Sequence, residues 1–458
     1  MSEAIVTLGQ AEDADRLFQV TRAAWHWEPL SKVCRRGGGD IQTGPFGTQL
    51  HASDYVAAGV PSIMPQNISN DRVDAEGIAR IAPSDAERLS RYLVKPGDIV
   101  YSRRGDVERR ALITERESGW LCGTGCLRVR FGAGVVDPLY ASYFLSHPAS
   151  REWVVRHAVG ATMPNLNTSI LGALPFLLPP HNDQLAIAGV LGALDDKIEQ
   201  NRRTAHALER LAWAIFRAWF VDFEPVKAKA AGATTFPSMP QPVFDALPTR
   251  FAESAIGPVP EGWEVKGLAG IATFLNGLAL QKYPPRGDSE DLRVIKIAEL
   301  RKGSTDRADL ANGDVPKQYV VEDGDLLFSW SGTLEAEFWF GGKGALNQHL
   351  FKVTSSHFPN WFCMLWIREH LPWFRAIAAS KATTMGHIQR SHLQEARLVM
   401  PPGHVIRGAH GALGPIYDLL GQLAIESRKL AEIRDMLLPK LLSGEVCIRG
   451  NKGAQNEV

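Results

Sequence analysis

The chain of 458 residues carries one long sequence pattern twice. Residues 94–107 (VKPGDIVYSRRGDV) align with residues 321–334 (VEDGDLLFSWSGTL), and residues 163–180 align with residues 385–402 up to a shared Pro-Pro pair. The register continues beyond both Pro-Pro pairs, so the repeated unit is about 190 residues long. Two collinear copies predict two similar domains with a pseudo-twofold relation, and they argue against a single compact domain.

Each copy begins with a part of mixed α/β (α+β) character. Apolar runs at 98–101 and 326–328 follow Pro-Gly and Asp-Gly turns and are predicted strands. At 127–131, Leu, Val and Phe alternate with Arg128 and Arg130, which predicts a half-buried strand with a basic outer face. Short helices are predicted at two equivalent places, 138–147 and 361–370.

Each copy ends in a long predicted helix with a coiled-coil seam. Apolar residues recur at alternating spacings of three and four after each Pro-Pro pair. The first helix is expected over 184–223, with Pro225 ending it. Asn201 is a polar residue in this seam and is expected to fix its register. Aromatic residues crowd the end of the first helix, and packing on a globular unit or partner and ordinary core packing both remain open. They are Trp213, Phe216, Trp219, Phe220 and Phe223.

Charge and cysteine content exclude several classes of protein. Lys plus Arg and Asp plus Glu both number 50, so the chain as a whole lacks the excess of base typical of nucleic-acid binding. The five scattered cysteines exclude a disulfide framework and a zinc site. The first residues do not form a signal peptide, and no apolar run is long enough to span a membrane. We therefore expect a soluble, cytoplasmic protein.

The catalytic motifs in the sequence are incomplete. Asp137-Pro-Leu-Tyr140 resembles a loop of amino-methyltransferases, but no glycine-rich turn for a methyl donor precedes it. Glu264-Val-Lys266 has the spacing of a metal-dependent nuclease, but no partner Asp lies in a suitable strand. We therefore expect no catalytic residues and no metal site, and a free-standing nuclease or methyltransferase is the less favoured alternative.

The strand ends and loops carry side chains suited to reading DNA. Arg pairs with guanine edges or phosphates, while amide and imidazole groups recognise adenine or guanine edges. The second copy has Ser329-Trp-Ser331 where the first has Ser102-Arg-Arg104, so the two copies are expected to read different sequences. The alternative is that the arginines are solvated surface charges and that Asn165 caps a helix. The candidates are Ser102, Arg103, Arg104, Arg109, Arg110, Arg128, Asn165, Asn167, Ser329, Trp330, Ser331, Lys352, His387, Gln389 and Arg390.

Together these features resemble the specificity subunit of type I restriction–modification systems. The resemblance extends from Trp27 to Val446 and is carried by motifs in both copies. Besides the Gly-Asp blocks and Pro-Pro pairs, they are Trp27-Glu-Pro-Leu30, Pro260-Glu-Gly-Trp-Glu-Val265, residues 218–225 (AWFVDFEP) and residues 437–446 (LLPKLLSGEV).

The resemblance implies two target-recognition domains, each reading one half of a bipartite double-stranded DNA site, and two antiparallel spacer helices. It also implies two methyltransferase subunits that hold S-adenosylmethionine, and restriction (motor) subunits that use ATP and Mg. The chain itself is then expected to bind no cofactor. The residues expected in the spacer and partner contacts are Leu194, Ile198, Asn201, Leu208, Ile215, Trp219, Phe220, Leu420, Leu423, Leu430, Leu437 and Leu441.

The expected domain order follows from these boundaries. It is an unassigned segment 1–26, recognition domain 27–180, spacer helix 181–224, linker 225–260, recognition domain 261–402, spacer helix 403–445 and flexible tail 446–458. The helices are expected to set the distance between half-sites, so that deleting the matched heptads 198–204 and 420–426 would shorten the DNA spacer. A duplicated protein–protein scaffold with a coiled coil and no DNA role is the alternative function.

Overall fold

The computed structural model describes residues 25–69, 71–160, 162–380, 386–446 and 448. The predictions for most of the segment 1–26 and of the tail 446–458 therefore lie outside the described residues. The chain divides into two compact units, with boundaries at 196/197 and 429/430. Unit 1 contains the described residues up to 196 and from 430 onward, and unit 2 contains those of 197–429.

Unit 1 contains two four-stranded sheets. One has the antiparallel order β2-β11-β8-β9, and the other has the order β10-β4-β7-β3 with β10 and β4 parallel. Strands β1 and β12 form an antiparallel pair beside them, as do β5 and β6. The strands are β1 His26–Pro29, β2 Gly38–Thr43, β3 Tyr55–Val56, β4 Val60–Ile63, β5 Ile68–Ser69, β6 Arg72–Val73, β7 Arg80–Ile81, β8 Ile99–Ser102, β9 Arg110–Leu112, β10 Leu121–Cys122, β11 Cys126–Gly132 and β12 Pro175–Leu178.

Unit 2 repeats this plan. Its sheet β16-β23-β20-β21 is antiparallel like β2-β11-β8-β9, and its sheet β18-β17-β22-β19 again contains one parallel pair, β17 with β22. The pair β15–β24 corresponds to β1–β12. The strands are β13 Phe251–Ala252, β14 Val259–Pro260, β15 Glu264–Gly267, β16 Thr273–Asn276, β17 Leu292–Ile295, β18 Leu310–Ala311, β19 Val320–Val321, β20 Leu326–Ser329, β21 Ala336–Phe338, β22 Gly344–Leu346, β23 Leu350–Thr354 and β24 Arg397–Met400. The repeat and the mixed fold predicted from the sequence are confirmed.

The helices comprise short packing elements and two long helices, one after each Pro-Pro pair. They are α1 Leu30–Arg36, α2 Pro83–Arg88, α3 Pro138–Ser146, α4 Pro148–His157, α5 Thr168–Ala173, α6 His181–Phe216, α7 Glu224–Ala230, α8 Gln241–Asp245, α9 Ile297–Lys302, α10 Asn360–Ser380, α11 Arg390–Glu395 and α12 Gly403–Leu442. Among the described residues, none of these helices is both long enough and apolar enough to cross a membrane.

The two long helices run antiparallel within each unit. In unit 1, Arg434 of α12 forms an ion pair with Asp195 of α6 at 2.6 Å. In unit 2, the Asn201 Nδ2 of α6 donates to Glu426 Oε2 at 2.7 Å and to Ser427 Oγ at 3.3 Å. Asn201 is 2% exposed, so its amide is buried in the predicted seam, whereas the Glu426 side chain is 46% exposed.

The end of each long helix belongs to a globular core. Leu438, Leu441 and Leu442 of α12 pack in the core of unit 1 with Leu191 of α6. The aromatic end of α6 packs in the core of unit 2, where the Phe216 ring lies 5.1 Å from the Trp366 ring. The aromatic cluster therefore packs on a globular unit, and it does so as part of the core of that unit.

Two predictions for the region after α6 are wrong. The helix changes to one π-helical turn at Arg217–Val221 and ends before Phe223, which has a left-handed φ of 54°. Pro225 does not end that helix but lies in the first turn of α7. The segment 225–260 is not an extended linker, because it contains α7, α8 and strands β13 and β14. Its apolar side chains, Val226, Val243, Phe244 and Leu247, are buried in the core of unit 2.

Candidate nucleic-acid interface

The candidate interface of unit 1 is one edge of its antiparallel sheet. In the sheet, Ser102 pairs with Cys126 and Thr43 pairs with Leu127. The loops after β2 and β8 and the loop before β11 therefore leave the sheet at the same edge, where these strands begin or end. The loop at 162–166 joins them, because the Leu166 N–H donates to the Arg103 carbonyl at 2.8 Å and the Gly105 N–H donates to the Pro164 carbonyl at 3.0 Å. We call this set of loops edge 1.

Unit 2 has an equivalent set of loops, which we call edge 2. Here the Ile388 N–H donates to the Trp330 carbonyl at 2.9 Å and the Gly332 N–H donates to the Gly386 carbonyl at 2.9 Å. The same two backbone hydrogen bonds therefore recur at residues that the sequence repeat aligns. Edge 2 consists of the loops at 277–279, 330–335, 347–349 and 386–388.

A glycine without room for a side chain begins the first loop of each edge. A Cβ atom on Gly44 would lie 2.1 Å from the Gly123 carbonyl oxygen, and one on Gly277 would lie 2.2 Å from the Asn347 carbonyl oxygen. Real Cβ atoms do not approach backbone this closely, so only glycine fits at either position. The loops of each edge are thus held against one another by backbone contact.

At edge 1, Arg103 and Arg104 differ in their surroundings. The Arg103 guanidinium lies over the Phe46 ring, 5.9 Å from its centroid, and its Nε is buried with no hydrogen-bond partner among the described residues. Arg104 is exposed, and no side-chain hydrogen bond or ion pair to another described residue holds it. The Asn165 Oδ1 is likewise buried without a partner in the described part of the chain.

Two candidate residues act as helix caps. The Asn167 Oδ1 accepts the Ile170 N–H at 2.8 Å and caps α5, so the alternative in which Asn165 is the helix cap is wrong. Gln389 stands at the corresponding cap of α11, and its N–H donates to His392 Nδ1 at 3.0 Å. Both caps are exposed, so DNA contact by these side chains stays a prediction.

Three candidates in unit 1 are buried, so the prediction that their side chains contact DNA at the surface is wrong. Ser102 is 1% exposed and its Oγ donates to the Arg104 carbonyl, while Arg110 is 2% exposed and pairs with Asp71 at 3.1 Å. Arg128 is 3% exposed, and its guanidinium donates to the Arg91 carbonyl at 2.8 Å. Arg109 remains exposed and pairs with Asp106 at 2.8 Å.

Strand β11 therefore lacks the basic outer face that its alternating sequence predicts. Arg130 also points inward in part, since it forms an ion pair with Asp98, a residue that is 2% exposed. The segment around Arg91 and Leu93 covers this face and supplies carbonyl acceptors to both arginines. The alternating pattern correctly predicts the face of β11 that packs in a core, but the opposite face of the strand is covered by protein as well.

At the positions aligned with Arg103 and Arg104, edge 2 presents aromatic and hydrogen-bonded side chains in place of arginines. The Trp330 Nε1 donates to Asn276 Oδ1 at 2.8 Å, and the Trp330 ring lies 6.3 Å from the His387 ring in an edge-on arrangement. Ser331 Oγ and His349 Nδ1 are 2.8 Å apart. Edge 1 thus has two arginines where edge 2 has an indole and a hydroxyl group, so the side-chain chemistry of the two edges differs as expected.

Other candidates in unit 2 are held in internal contacts. Ser329 is fully buried and its Oγ donates to the Thr333 carbonyl, and Ser331 is 2% exposed. Lys352 pairs with Asp325 at 2.7 Å and donates to the Val320 carbonyl, so it lies inside the unit and not at a DNA-facing surface. Arg390 is exposed at edge 2, with its guanidinium 6.0 Å from the Phe351 ring.

Sequence reasoning missed several residues that lie at these edges. At edge 1 they include Phe46, which is 52% exposed, and Thr124, whose Oγ1 donates to the Pro45 carbonyl. The signal for Phe46 is an apolar aromatic residue between two glycines in a loop (GPFG, 44–47). At edge 2 the missed residues are Asn276 at the end of β16 and Asn347, Gln348 and His349, and the signal for the last three is the polar run between β22 and β23.

The predicted spacer residues form two groups, one in the seam between the long helices and one in the globular cores. Leu194, Ile198, Leu208, Ile215, Leu420, Leu423, Leu430 and Leu437 are half-buried along α6 and α12. Trp219, Phe220 and Leu441 are buried in the globular cores and are not available to a partner protein. Other apolar side chains on these helices are exposed instead, and the sequence reasoning did not single them out. They are Leu185, Leu211, Leu419, Ile433 and Met436.

No cluster of three or more His, Cys, Asp or Glu side chains that could hold a metal ion occurs among the residues that the structure describes. The buried thiols are also far from reactive. Burial raises the pKa of Cys34, of Cys122 and of Cys363 to about 12.

Comparison with known proteins gives concordant matches. Residues 52–210 match the family model described as the type I restriction modification DNA specificity domain. The type I restriction enzyme HindI specificity subunit of Haemophilus influenzae is 23% identical over 409 residues, which cover 79% of this chain and 89% of the relative. The type I restriction enzyme MjaIX specificity subunit of Methanocaldococcus jannaschii is 23% identical over 404 residues, which cover 86% and 88%.

A solved structure supports the fold. The crystal structure of the type I restriction–modification system S subunit from M. genitalium matches with a TM-score of 0.52 and 15% identity, over 91% of this chain and 96% of that chain. At this identity the likeness concerns the fold alone. Together with the matches in sequence and the duplicated architecture, it leads to one conclusion: the chain is similar over most of its length to type I restriction–modification specificity subunits.

Proposed function

We propose that this chain is the DNA specificity subunit of a type I restriction–modification complex and that each edge reads one half of a bipartite, asymmetric site in double-stranded DNA. The observation that carries the proposal is the pair of equivalent edges. Their backbone hydrogen bonds correspond, while Arg103 and Arg104 on one edge are replaced by Trp330 and Ser331 on the other. A duplicated scaffold with different side chains suits a site whose halves differ in sequence.

The helices α6 and α12 are proposed to set the separation of the half-sites and to dock two methyltransferase subunits. Exposed apolar side chains support docking, since Leu211 is 49% exposed and Met436 is 55% exposed. Large apolar side chains that are exposed gain stability when another protein covers them. Restriction subunits would join the same cytoplasmic complex, and S-adenosylmethionine, ATP and Mg would be bound by the partner subunits, with no catalytic step assigned to this chain.

The test is DNA binding by the full chain co-purified with its methyltransferase partners. A selection from random DNA should give two constant half-sites at a fixed distance, and the binding constant should fall as salt rises. The chain without partners should neither methylate nor cleave DNA. Binding that is independent of sequence at low salt, or no DNA dependence at all, would favour the alternative of a protein–protein scaffold.

Recognition should divide between the two edges. Replacing both Arg103 and Arg104 with Ala should alter the half-site read by edge 1 and leave the other half-site unchanged. Binding by this variant is measured on DNA libraries randomised in one half-site at a time. An equal loss at both half-sites in a folded variant would contradict reading by separate units.

A further inference from the structure

We propose that Phe46 positions Arg103 to read a guanine in the half-site of edge 1, while Arg104 contacts the DNA backbone. This inference rests on the proposed function and assigns different tasks to two adjacent arginines. Its starting point is the exposed Phe46 ring with the Arg103 guanidinium 5.9 Å from its centroid.

The backbone of Arg103 is fixed on both sides. Its N–H donates to the Gly125 carbonyl at 2.7 Å, and its carbonyl accepts the Leu166 N–H at 2.8 Å. The side chain leaves this fixed point half-buried, and its Nε has no hydrogen-bond partner in the described ranges. The direction of the guanidinium therefore depends on its contact with the Phe46 ring and not on a hydrogen bond to Nε.

The loop that carries Phe46 is itself rigidly held. The Gln49 N–H donates to the Phe46 carbonyl at 2.8 Å, and Gln49 Oε1 accepts both the Phe46 N–H at 3.2 Å and the Tyr92 hydroxyl at 2.8 Å. Gly44 fixes the other end by its close approach to Gly123. The ring is thus an anchored platform on the surface and not a mobile loop tip.

A guanidinium held in a set plane matches the geometry of a base edge. Arg presents parallel N–H donors, and guanine offers O6 and N7 as a pair of acceptors in the major groove. A phosphate contact needs less exact orientation, because it provides attraction with little sequence information. Arg104 fits that second role, since it is exposed and makes no ion pair with another described residue.

Edge 2 serves as an internal contrast. The residue equivalent to Arg103 is Trp330, whose indole N–H is already engaged with Asn276 Oδ1 at 2.8 Å. An indole cannot form the two parallel hydrogen bonds that recognise guanine. At this aligned position, the guanine contact is therefore assigned to edge 1 and not to edge 2.

The experiment uses the full chain in complex with its methyltransferase partners and a DNA library randomised over the edge 1 half-site. The wild-type complex should prefer guanine at one position by about tenfold to a hundredfold. Arg103→Ala and Phe46→Ala should each flatten that position, the double variant should do no more than either one, and Phe46→Tyr should restore the preference. Arg104→Ala should weaken all sequences alike and reduce the salt dependence by about one phosphate contact.

Two control variants remove the same kinds of group as the test variants, one an arginine and the other an aromatic ring, at sites outside edge 1. Arg156→Ala removes a 68% exposed arginine of α4, and Trp373→Ala removes a 39% exposed aromatic residue of unit 2, and neither should change the guanine preference. The inference is overturned if Phe46→Ala weakens every sequence equally, or if its effect adds to that of Arg103→Ala. It is also overturned, with the proposed function intact, if the selected half-site contains no guanine that depends on Arg103. A wild-type complex without sequence preference would overturn the proposed function as well.

Discussion

Arg128 illustrates how a basic residue can stabilise the fold without meeting DNA. It lies between β11 and the segment around Arg91, where it donates to a carbonyl and forms an ion pair with Asp40 at 2.6 Å. Arg128→Met should lower the free energy of unfolding by about 1–3 kcal/mol, because the Arg91 carbonyl loses its donor and Asp40 loses its ion-pair partner. Urea denaturation measures this loss, and the selected half-sites should not change.

The matched control for this prediction is Arg156→Met. Arg156 is 68% exposed and pairs only with Glu152 within its own helix, so its loss should cost less than about 0.5 kcal/mol. A change in half-site preference in a folded Arg128→Met variant would contradict the structural role.

His147 gives unit 1 a dependence on pH. Its Nδ1 accepts the Ala149 N–H at 3.2 Å as the cap of α4, and burial lowers its pKa from 6.5 to about 4. The unfolded chain therefore binds a proton near pH 6.5 that the folded chain does not bind until about pH 4. The stability contributed by neutral His147 is complete above pH 6.5 and is lost as the pH falls from 6.5 toward 4.

The replacement His147→Asn separates capping from titration. Asn supplies a cap acceptor but carries no proton in this pH range, so the variant should lose less stability than the wild type between about pH 7 and pH 5. Thermal or urea unfolding at both pH values gives the comparison. Identical pH dependence in the two proteins would show that other groups are responsible.

At the scale of elements, the contact of the buried Asn201 amide of α6 with α12 is a sensitive point. Asn201→Asp would place a carboxylate where the Nδ2 now donates to Glu426 Oε2 at 2.7 Å. The variant should lose about 1–3 kcal/mol, because a buried charge lacks a partner. Adding Glu426→Gln should recover most of the loss, while Glu426→Gln alone should be nearly neutral. Additive losses in this double-mutant cycle would rule out a direct interaction.

The elements differ in how far the sequence predicts them. Strands β8 and β20 and the paired helices follow from patterns that occur twice, and each is found within a few residues of its predicted place. Arg128 was misassigned because alternation reports one apolar face, and the cover of the other face comes from Arg91, 37 positions away in the chain. Phe46 was missed since its significance depends on a loop that contacts Arg103 only after folding. Local sequence patterns predict helices and strands. Which side chains are buried, and which loops come together, depends on contacts between segments that are distant in the chain.

At the scale of the whole molecule, the proposed spacing role of the helices predicts that a change in their length changes the separation of the half-sites. The heptads 198–204 and 420–426 are less suitable for deletion than the sequence implies, because Arg428 pairs with Asp323 at 2.8 Å and a Cβ on Gly421 would lie 3.0 Å from the Phe340 ring. Removing 420–426 would shift these contacts within unit 2. An insertion at the unit boundaries 196/197 and 429/430 leaves each unit intact.

Seven residues inserted into both α6 and α12 at these boundaries keep the seam in phase. The helices lengthen by about 10 Å, which corresponds to about three base pairs of B-DNA. The preferred spacer between half-sites should grow by that amount, with both half-site sequences unchanged, in a selection over spacers of varied length. Three base pairs also rotate the duplex by roughly 100°, so overall binding should weaken. An unchanged spacer in a folded variant would mean that the helices only hold partners.

The way in which α12 completes unit 1 also bears on the order of events during synthesis. Unit 2 is one continuous stretch, 197–429, and can close its core while the ribosome is still at work. Unit 1 cannot, because Leu438, Leu441 and Leu442 belong to its core and are made only after the whole of unit 2. Until they arrive, the apolar surface around Leu191 stays uncovered, so the nascent first half should need chaperone protection long after it has left the exit tunnel.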